Sequence, residues 1–291
     1  MPRYDVAEVQ RGESLTRLDD AARLRRSTVL AYHEVTPKEV AYQYALSCRQ
    51  LEEHLRLASR IRGESRSCPE PLLISFDDGH ISQYELALPL LEQYSCKAIF
   101  FVIAGRIGQR SDFMTWNHLK ELVARGHRVE AHGWSHTFLT SCTDAELYYE
   151  VRSAKDLIED RVGVDVRALS APHGRWDSRV VRACAEAGYE ELYTSNPWTS
   201  LTFPSNPGTW RPGRTFAVLG RLVAVQSMGA EQLLHWLTMG STEAGLHRVK
   251  QNLKDSARYL LGDRLYYRLW SRFSQWTGPE DYAPEEGRPA D

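Results

Sequence analysis

A single α/β barrel of parallel strands is the architecture this sequence predicts, and three observations lead to it. Strand and helix signals alternate from residue 28 to about residue 220, the order expected of parallel strands joined by crossover helices. The apolar run Ala98-Ile99-Phe100-Phe101-Val102-Ile103 is uninterrupted, as in a strand covered on both faces. His33, Asp77 with Asp78, His132 with His136, and His173 each follow the C-terminal end of a different predicted strand. In a parallel barrel those ends share one face, where such folds keep their sites. A doubly wound sheet gathers only the loops near its switch point, so the barrel accounts for more of these residues.

The elements follow in order. Residues 1–27 are charged and weakly apolar and read as a weakly structured leader. The first strand, residues 29–32, leads into His33. Ser47 and Gln50 make a capping box for a helix carrying Leu51, Leu55 and Leu57. The second strand is 72–76. Leu86, Leu90 and Leu91 mark a helical segment ending near Tyr94, kinked or restarted at Pro89. After the third strand at 98–103, Thr115 caps a helix through Leu119, Leu122 and Val123 that Gly126 closes. The fourth strand is 127–131, and Thr143 with Glu146 opens a helix to about Arg161. The fifth strand is 166–170, Asp177 caps a helix closed by Gly188, and strands six and seven are 192–194 and 215–218. The barrel domain is thus expected over 28–240. A helical extension follows over 241–277, and a tail over 278–291 reads as disordered.

Composition narrows the class. The chain has 291 residues, 42% hydrophobic and 25% charged, ordinary values for a soluble globular protein. A net charge of -2 argues against a nucleic-acid surface built on bulk charge. Five scattered cysteines without a CxxC pair read as thiols of a reducing compartment, which excludes a disulfide framework or a zinc knot. No apolar signal segment follows Met1-Pro2-Arg3, and no apolar run is long enough to span a bilayer. The expected location is the cytoplasm.

The chain is organised around Ser75-Phe76-Asp77-Asp78-Gly79-His80, at the end of a buried strand. Side chains alternate along a strand, so adjacent Asp residues share one site only if the chain bends, which Gly79 permits. Two close carboxylates resist ionising together unless a cation or a hydrogen-bond network compensates. Ala131-His132-Gly133-Trp134-Ser135-His136 supplies the partner: two histidines four apart project the same way from a helical turn and can share one ion. The zincin pattern is excluded, because Gly133 stands where it needs Glu. Alone, Asp-Asp-Gly reads as a turn and the His pair as a helix start. Together they point to a metal site.

These stretches resemble the polysaccharide deacetylase family, the NodB-homology or carbohydrate esterase group four, over roughly residues 28–220. Ser75-Phe76-Asp77-Asp78-Gly79 is similar to the family's first motif and His132-Gly133-Trp134-Ser135-His136 to its second, with Gly133 where Ser or Thr is commonest. The resemblance implies an irregular (β/α)₇ barrel of NodB-homology type. It implies Asp77 as catalytic base, and Asp78, His132 and His136 as ligands of one divalent ion, zinc by default, with cobalt, nickel or iron as alternatives. The third motif, Arg-x-Pro-Tyr/Phe, aligns with Ser170-Ala171-Pro172-His173. The Arg that orients the base is absent there, and Pro172 and His173 take the substrate-binding turn whose amide holds the oxyanion. The late Leu-x-His motif is matched only by Leu233-Leu234-His235. The general acid is therefore open among His33, His80, His173 and His235.

The implied activity is metal-assisted removal of N-acetyl or O-acetyl groups from a carbohydrate, an amino-sugar glycan or its biosynthetic intermediate. Two rivals stand beside it: hydrolysis of a cyclic amide or imide on the same barrel, and a non-catalytic carbohydrate-binding relative. Trp134, Trp176 and Trp198 lie near the loops that could form a sugar-stacking groove, although core packing is the commoner fate of Trp. In the extension, Leu260, Leu261, Leu265, Leu269 and Phe273 interleave with Arg258, Arg264, Arg268 and Arg272. Such a stripe either packs on its own domain or lies at a membrane surface, here the inner face.

Overall fold

The computed structural model describes residues 28–64, 72–203 and 215–261. The expected leader and disordered tail, and the extension beyond residue 261, lie outside them. Thr28–Tyr32 (β1) is followed by the short pair Glu34–Thr36 (β2) and Ala45–Ser47 (β3), which the sequence reading did not anticipate. Cys48–Glu64 (α1) starts at the expected box: Gln50 Oε1 accepts the Ser47 N–H at 3.1 Å. Then come Leu72–Phe76 (β4), a π-helical turn over Gln83–Ala87, and Leu88–Gln93 (α2), so the chain restarts beside Pro89. Ala98–Val102 (β5), Trp116–Ala124 (α3), Arg128–Ala131 (β6), Asp144–Val162 (α4), Ala168–Ser170 (β7) and Ser178–Glu186 (α5) follow. Glu191–Thr194 (β8), Ser200–Phe203 (β9), Phe216–Val223 (β10), Ala230–Thr238 (α6) and Ser241–Leu261 (α7) complete the described chain.

Seven parallel strands, in the order β1-β4-β5-β6-β7-β8-β10, close into a barrel through pairing of β10 with β1. β9 hangs on β10 as an antiparallel addition. The expected (β/α)₇ barrel is therefore present. Its seventh strand runs to Val223 rather than Val218, an extension that matters at the site. The seam between β6 and β7 is thin, with Ala131 opposite Leu169 as the single register pair. There the Glu130 carboxylate, buried in β6, accepts the N–H groups of Arg167 and Ala168 at 2.8 Å each, replacing ladder bonds with side-chain ones.

The core has two parts. Between barrel and helices pack Leu30, Tyr32, Phe76, Phe100, Leu119, Leu147 and Leu192 with their neighbours. Inside the barrel, Val29, Ile99, Phe101, Ala168 and Tyr193 form a smaller apolar layer with Leu73 and Leu219. Inward positions recur every second residue along a strand. The layer above that floor is consequently supplied by Ser75 and Asp77 after Leu73, Ser170 after Ala168, and Arg221 after Leu219. All four are buried polar residues. Among the described residues, no helix is long and apolar enough to cross a membrane.

Candidate active site

Asp77 continues the inward register of β4, and its backbone N–H donates to the Tyr32 carbonyl at the end of β1. Asp78 should point away, but it adopts φ 76°, with Gly79 at φ 82° behind it. Two left-handed residues in succession turn the second carboxylate back over the barrel mouth. Glycine suits position 79, where the backbone is left-handed and a Cβ would crowd Val102 Cβ at 3.3 Å as well as Ile107 Cδ1 at 2.9 Å.

The two histidines arrive by a different route from the one expected. Residues 132–138 form a loop and not a helical turn. Gly133 at φ 75° and His136 at φ 70° fold that loop so that both rings face Asp78. The geometry that matters is thus set by backbone contortion rather than by helical period. One ligand atom from each of Asp78, His132 and His136 lies within 4.8 Å of the others. His132 Nε2 is 3.4 Å and His136 Nε2 3.5 Å from Asp78 Oδ1. His132 Nδ1 lies 2.8 Å from the Ser170 carbonyl. Donation of the Nδ1 proton there leaves Nε2 with its lone pair facing the carboxylate, as metal-binding imidazoles are usually oriented.

Arg221, fully buried, reaches from β10 to grip Asp77. Its two terminal nitrogens donate to Oδ1 and Oδ2 at 2.6 Å each, a fork-on-carboxylate pair. It also donates to Ser75 Oγ at 3.1 Å and Ser170 Oγ at 2.7 Å, and it rests over Phe101 and Tyr193. Ser170 donates to Asp77 Oδ2 at 3.2 Å. The arginine missing from the third motif is therefore present in space, carried by another strand. The sequence reading missed it because the seventh strand was ended at Val218. Continuing the alternation to Leu219 and Arg221 was the available signal.

Charge follows from these contacts. Burial raises the Asp77 carboxyl, but Arg221 and then His132 outweigh it and hold the group below its usual range. Asp78 is held well below by its His132 hydrogen bond and His136 in the same way, against burial. Burial lowers His132, but Asp77 and Asp78 outweigh it and favour its cation. His136 is pushed well down by burial and by neighbouring His173. With Arg221 offsetting Asp77, the Asp78 carboxylate and the two imidazoles facing it remain as the donor set a metal cation would compete for.

The four candidates for the acid are now distinct. His33 follows β1 beside Asp77: the Gln83 side-chain amide donates to both the His33 and Asp77 carbonyls. Its ring packs at 5.3 Å on Tyr44, and its buried Nδ1 makes no hydrogen bond among the described residues. His80 Nδ1 lies 2.8 Å from Ser82 Oγ. His173, at φ 57° in the turn Pro172–Gly174, stacks on Phe138 at 3.9 Å and lies 4.6 Å from His136. His235 sits exposed on α6, 2.8 Å from Glu243. Of the three tryptophans, Trp134 and Trp176 pack against the core, and Trp198 lies on Trp236.

Comparison with known proteins adds the family context. The polysaccharide deacetylase model matches residues 65–192. A chitooligosaccharide deacetylase of Bradyrhizobium sp. is 30% identical over 165 residues, 56% of this chain and 68% of that protein. YxkH of Bacillus subtilis is 27% identical over 57% of this chain, which spans about half, 53%, of that longer protein. Among solved structures, the Streptococcus pyogenes deacetylase PplD in complex with acetate shares the fold with a TM-score of 0.61 at 20% identity. That match covers 74% of this chain and 98% of PplD.

Proposed function

The chain belongs to the polysaccharide deacetylase family, and from that premise we propose a metal-dependent hydrolase that removes acetyl groups from an acetylated amino-sugar glycan or its biosynthetic intermediate. One observation carries the reading. A carboxylate gripped by a buried arginine, Asp77, lies 3.8 Å from the nearer imidazole of a three-donor set. A protein that only bound sugar would have no use for that arrangement.

The donor set fits a divalent ion held by Asp78, His132 and His136. Two imidazoles and one carboxylate with an open position are typical of catalytic zinc, our assignment for the metal. When bound, such an ion polarises an acyl carbonyl and acidifies water. Asp77, kept ionised by Arg221, takes the proton of the attacking water. In this reading the backbone N–H of His173, in the turn Pro172–Gly174, stabilises the oxyanion. His33 gives the leaving amine its proton, the role supported by its buried Nδ1, without a hydrogen bond among the described residues, beside the carboxylates. Acetate and a free amino sugar result. The test is mass spectrometry of N-acetylated amino-sugar oligomers incubated with the zinc-loaded protein. Acetyl loss by wild type and none by Asp77→Asn is expected. Glycan left intact while a cyclic imide is opened would replace this reading with the rival hydrolase.

We extend the proposal to an anionic membrane surface as the place of contact. On α7, Leu246, Val249 and Leu253 recur one turn apart and are exposed at 69%, 57% and 67%, with Lys250 and Lys254 exposed beside them. The stripe expected farther on, from Leu260 to Phe273, lies outside the described side chains. Each basic residue near such a surface contributes about 1 kcal/mol, weakened by salt. Co-sedimentation with anionic liposomes at low salt, lost at high salt, is the expected result; none at low salt removes the idea.

A further inference from the structure

The loop between the two histidines carries a constraint of its own. Gly133 and His136 both hold positive φ within four residues, and a backbone so contorted persists only where its surroundings over-determine it. One side is fixed by the chain after β5, where the N–H groups of Ala104 and Gly105 donate to the carbonyls of Gly133 and Trp134 at 3.1 and 3.0 Å. The other side is held by the Glu150 side chain. Glu150 lies on the buried face of α4 with Leu147, Val151 and Ala154, and is itself only 6% exposed. Its Oε2 accepts the N–H groups of Trp134 and Ser135 at 2.9 and 3.0 Å, and its Oε1 accepts the Ser135 hydroxyl at 2.5 Å.

We propose that Glu150 is a positioning residue of the metal centre, holding the His132–His136 loop in the one shape that turns both imidazoles onto Asp78. The inference rests on the metal reading above. It also accounts for the departure at Gly133. A Cβ there would stand 3.3 Å from Glu150 Oε2 and 3.5 Å from Pro172 Cγ, on a backbone already left-handed. A residue without a side chain lets the carboxylate and the third-motif turn close on the loop. The hydroxyl of Ser135 supplies the side-chain tie from the loop to Glu150. Acidic side chains on the core face of a helix are seldom retained without partners, and among the described residues the hydrogen-bond partners of Glu150 belong to this loop.

The experiment measures zinc affinity against a chromophoric chelator, and the visible absorption of the cobalt-loaded protein, for wild type, Glu150→Gln, Glu150→Ala, Ser135→Ala and His132→Ala. Melting of each metal-free protein is measured alongside. Outer residues that orient ligands typically change metal affinity 10–100-fold. Glu150→Ala should lose about that much and shift the cobalt bands. Glu150→Gln, which keeps one acceptor oxygen, should recover part of the loss, and Ser135→Ala should lose less than Glu150→Ala. If Glu150→Ala does not fold, Glu150→Gln and Ser135→Ala carry the test. Zinc affinity and cobalt spectra equal to wild type, with only the metal-free melting lowered, would make Glu150 a packing residue and overturn the inference. Equal zinc binding by wild type and His132→Ala would instead overturn the metal site, and this inference with it.

Discussion

Replacing Arg221 by methionine removes the guanidinium from Asp77 while filling the space of its aliphatic stem. In the native site both Asp77 oxygens accept from Arg221 at 2.6 Å inside the barrel, with neither residue open to solvent. Removing one partner of such a buried pair costs about 3–5 kcal/mol, because the remaining charge stays desolvated. At roughly 2–4 °C per kcal/mol for a domain of this size, the melting temperature should fall by about 6–20 °C. The chemistry should change in a definite direction. Burial raises the Asp77 carboxyl and Arg221 is the largest influence opposing it, so the variant holds its proton to higher pH. A base works only when ionised, so the acid limb of kcat/KM should move toward alkaline pH and the loss should deepen as pH falls. Deacetylation rates across that limb, read with the melting curve, provide the assay. A variant with the native acid limb and native melting would refute the argument that Arg221 holds the base.

Three further outcomes follow from the same geometry. Asp77→Asn should keep the metal yet lose activity by the 10²–10⁴-fold typical of a general base; elemental analysis showing that metal has left would reverse the roles of Asp77 and Asp78. His33→Gln should retain metal and slow hydrolysis of an amide more than of an activated acetyl ester, whose leaving group needs no proton, whereas equal losses would move the acid role elsewhere. His127 tests pH and stability together. It is buried, accepts the Ala98 N–H on Nδ1, leaves Nε2 without a partner among the described residues, and is lowered to about 4 by burial and then by Lys97. The unfolded chain binds this proton from its usual value near 6.5 downward, and the folded one does not. Stability should therefore fall as pH drops from about 6.5 to about 4, by at most ~3 kcal/mol. Urea midpoints that decline identically in His127→Phe would assign the loss to other groups.

Much of this barrel was legible in the sequence because the signals are local. The run at 98–103 and the capping boxes at Ser47 and Thr143 each act within a turn or a strand, and each element formed where its own residues required. What was not legible depends on space. β2 and β3 are three residues each and exist only because they pair with one another. The His132–His136 loop depends on Glu150, which is fourteen residues from the nearer histidine and on another element. Nothing in the short stretch His132-Gly133-Trp134-Ser135-His136 distinguishes a helical turn from the contorted loop. Glu150 and the chain after β5 decide it.

Arg221 makes the same point in a form that can be tested by moving it. The resemblance places the base-orienting arginine at position 170, where this chain has Ser170. That serine's Oγ stands 2.7 Å from the Arg221 terminal nitrogen and 3.2 Å from Asp77 Oδ2. An arginine at 170 would start its side chain at that Oγ, and its guanidinium, three bonds farther on, can fill the space Arg221 now occupies. If the site requires only a fork on Asp77, and not a particular strand to carry it, Arg221→Met combined with Ser170→Arg should regain at least about tenfold of the activity lost by Arg221→Met alone. That recovery is on the order of 1.4 kcal/mol of transition-state stabilisation. The acid limb of the pH profile should return toward its native position. A lysine at 170 should recover less, since a point charge cannot meet both carboxylate oxygens at once. A double variant that folds like wild type but is no more active than Arg221→Met would show that β10 contributes more than the place of a charge.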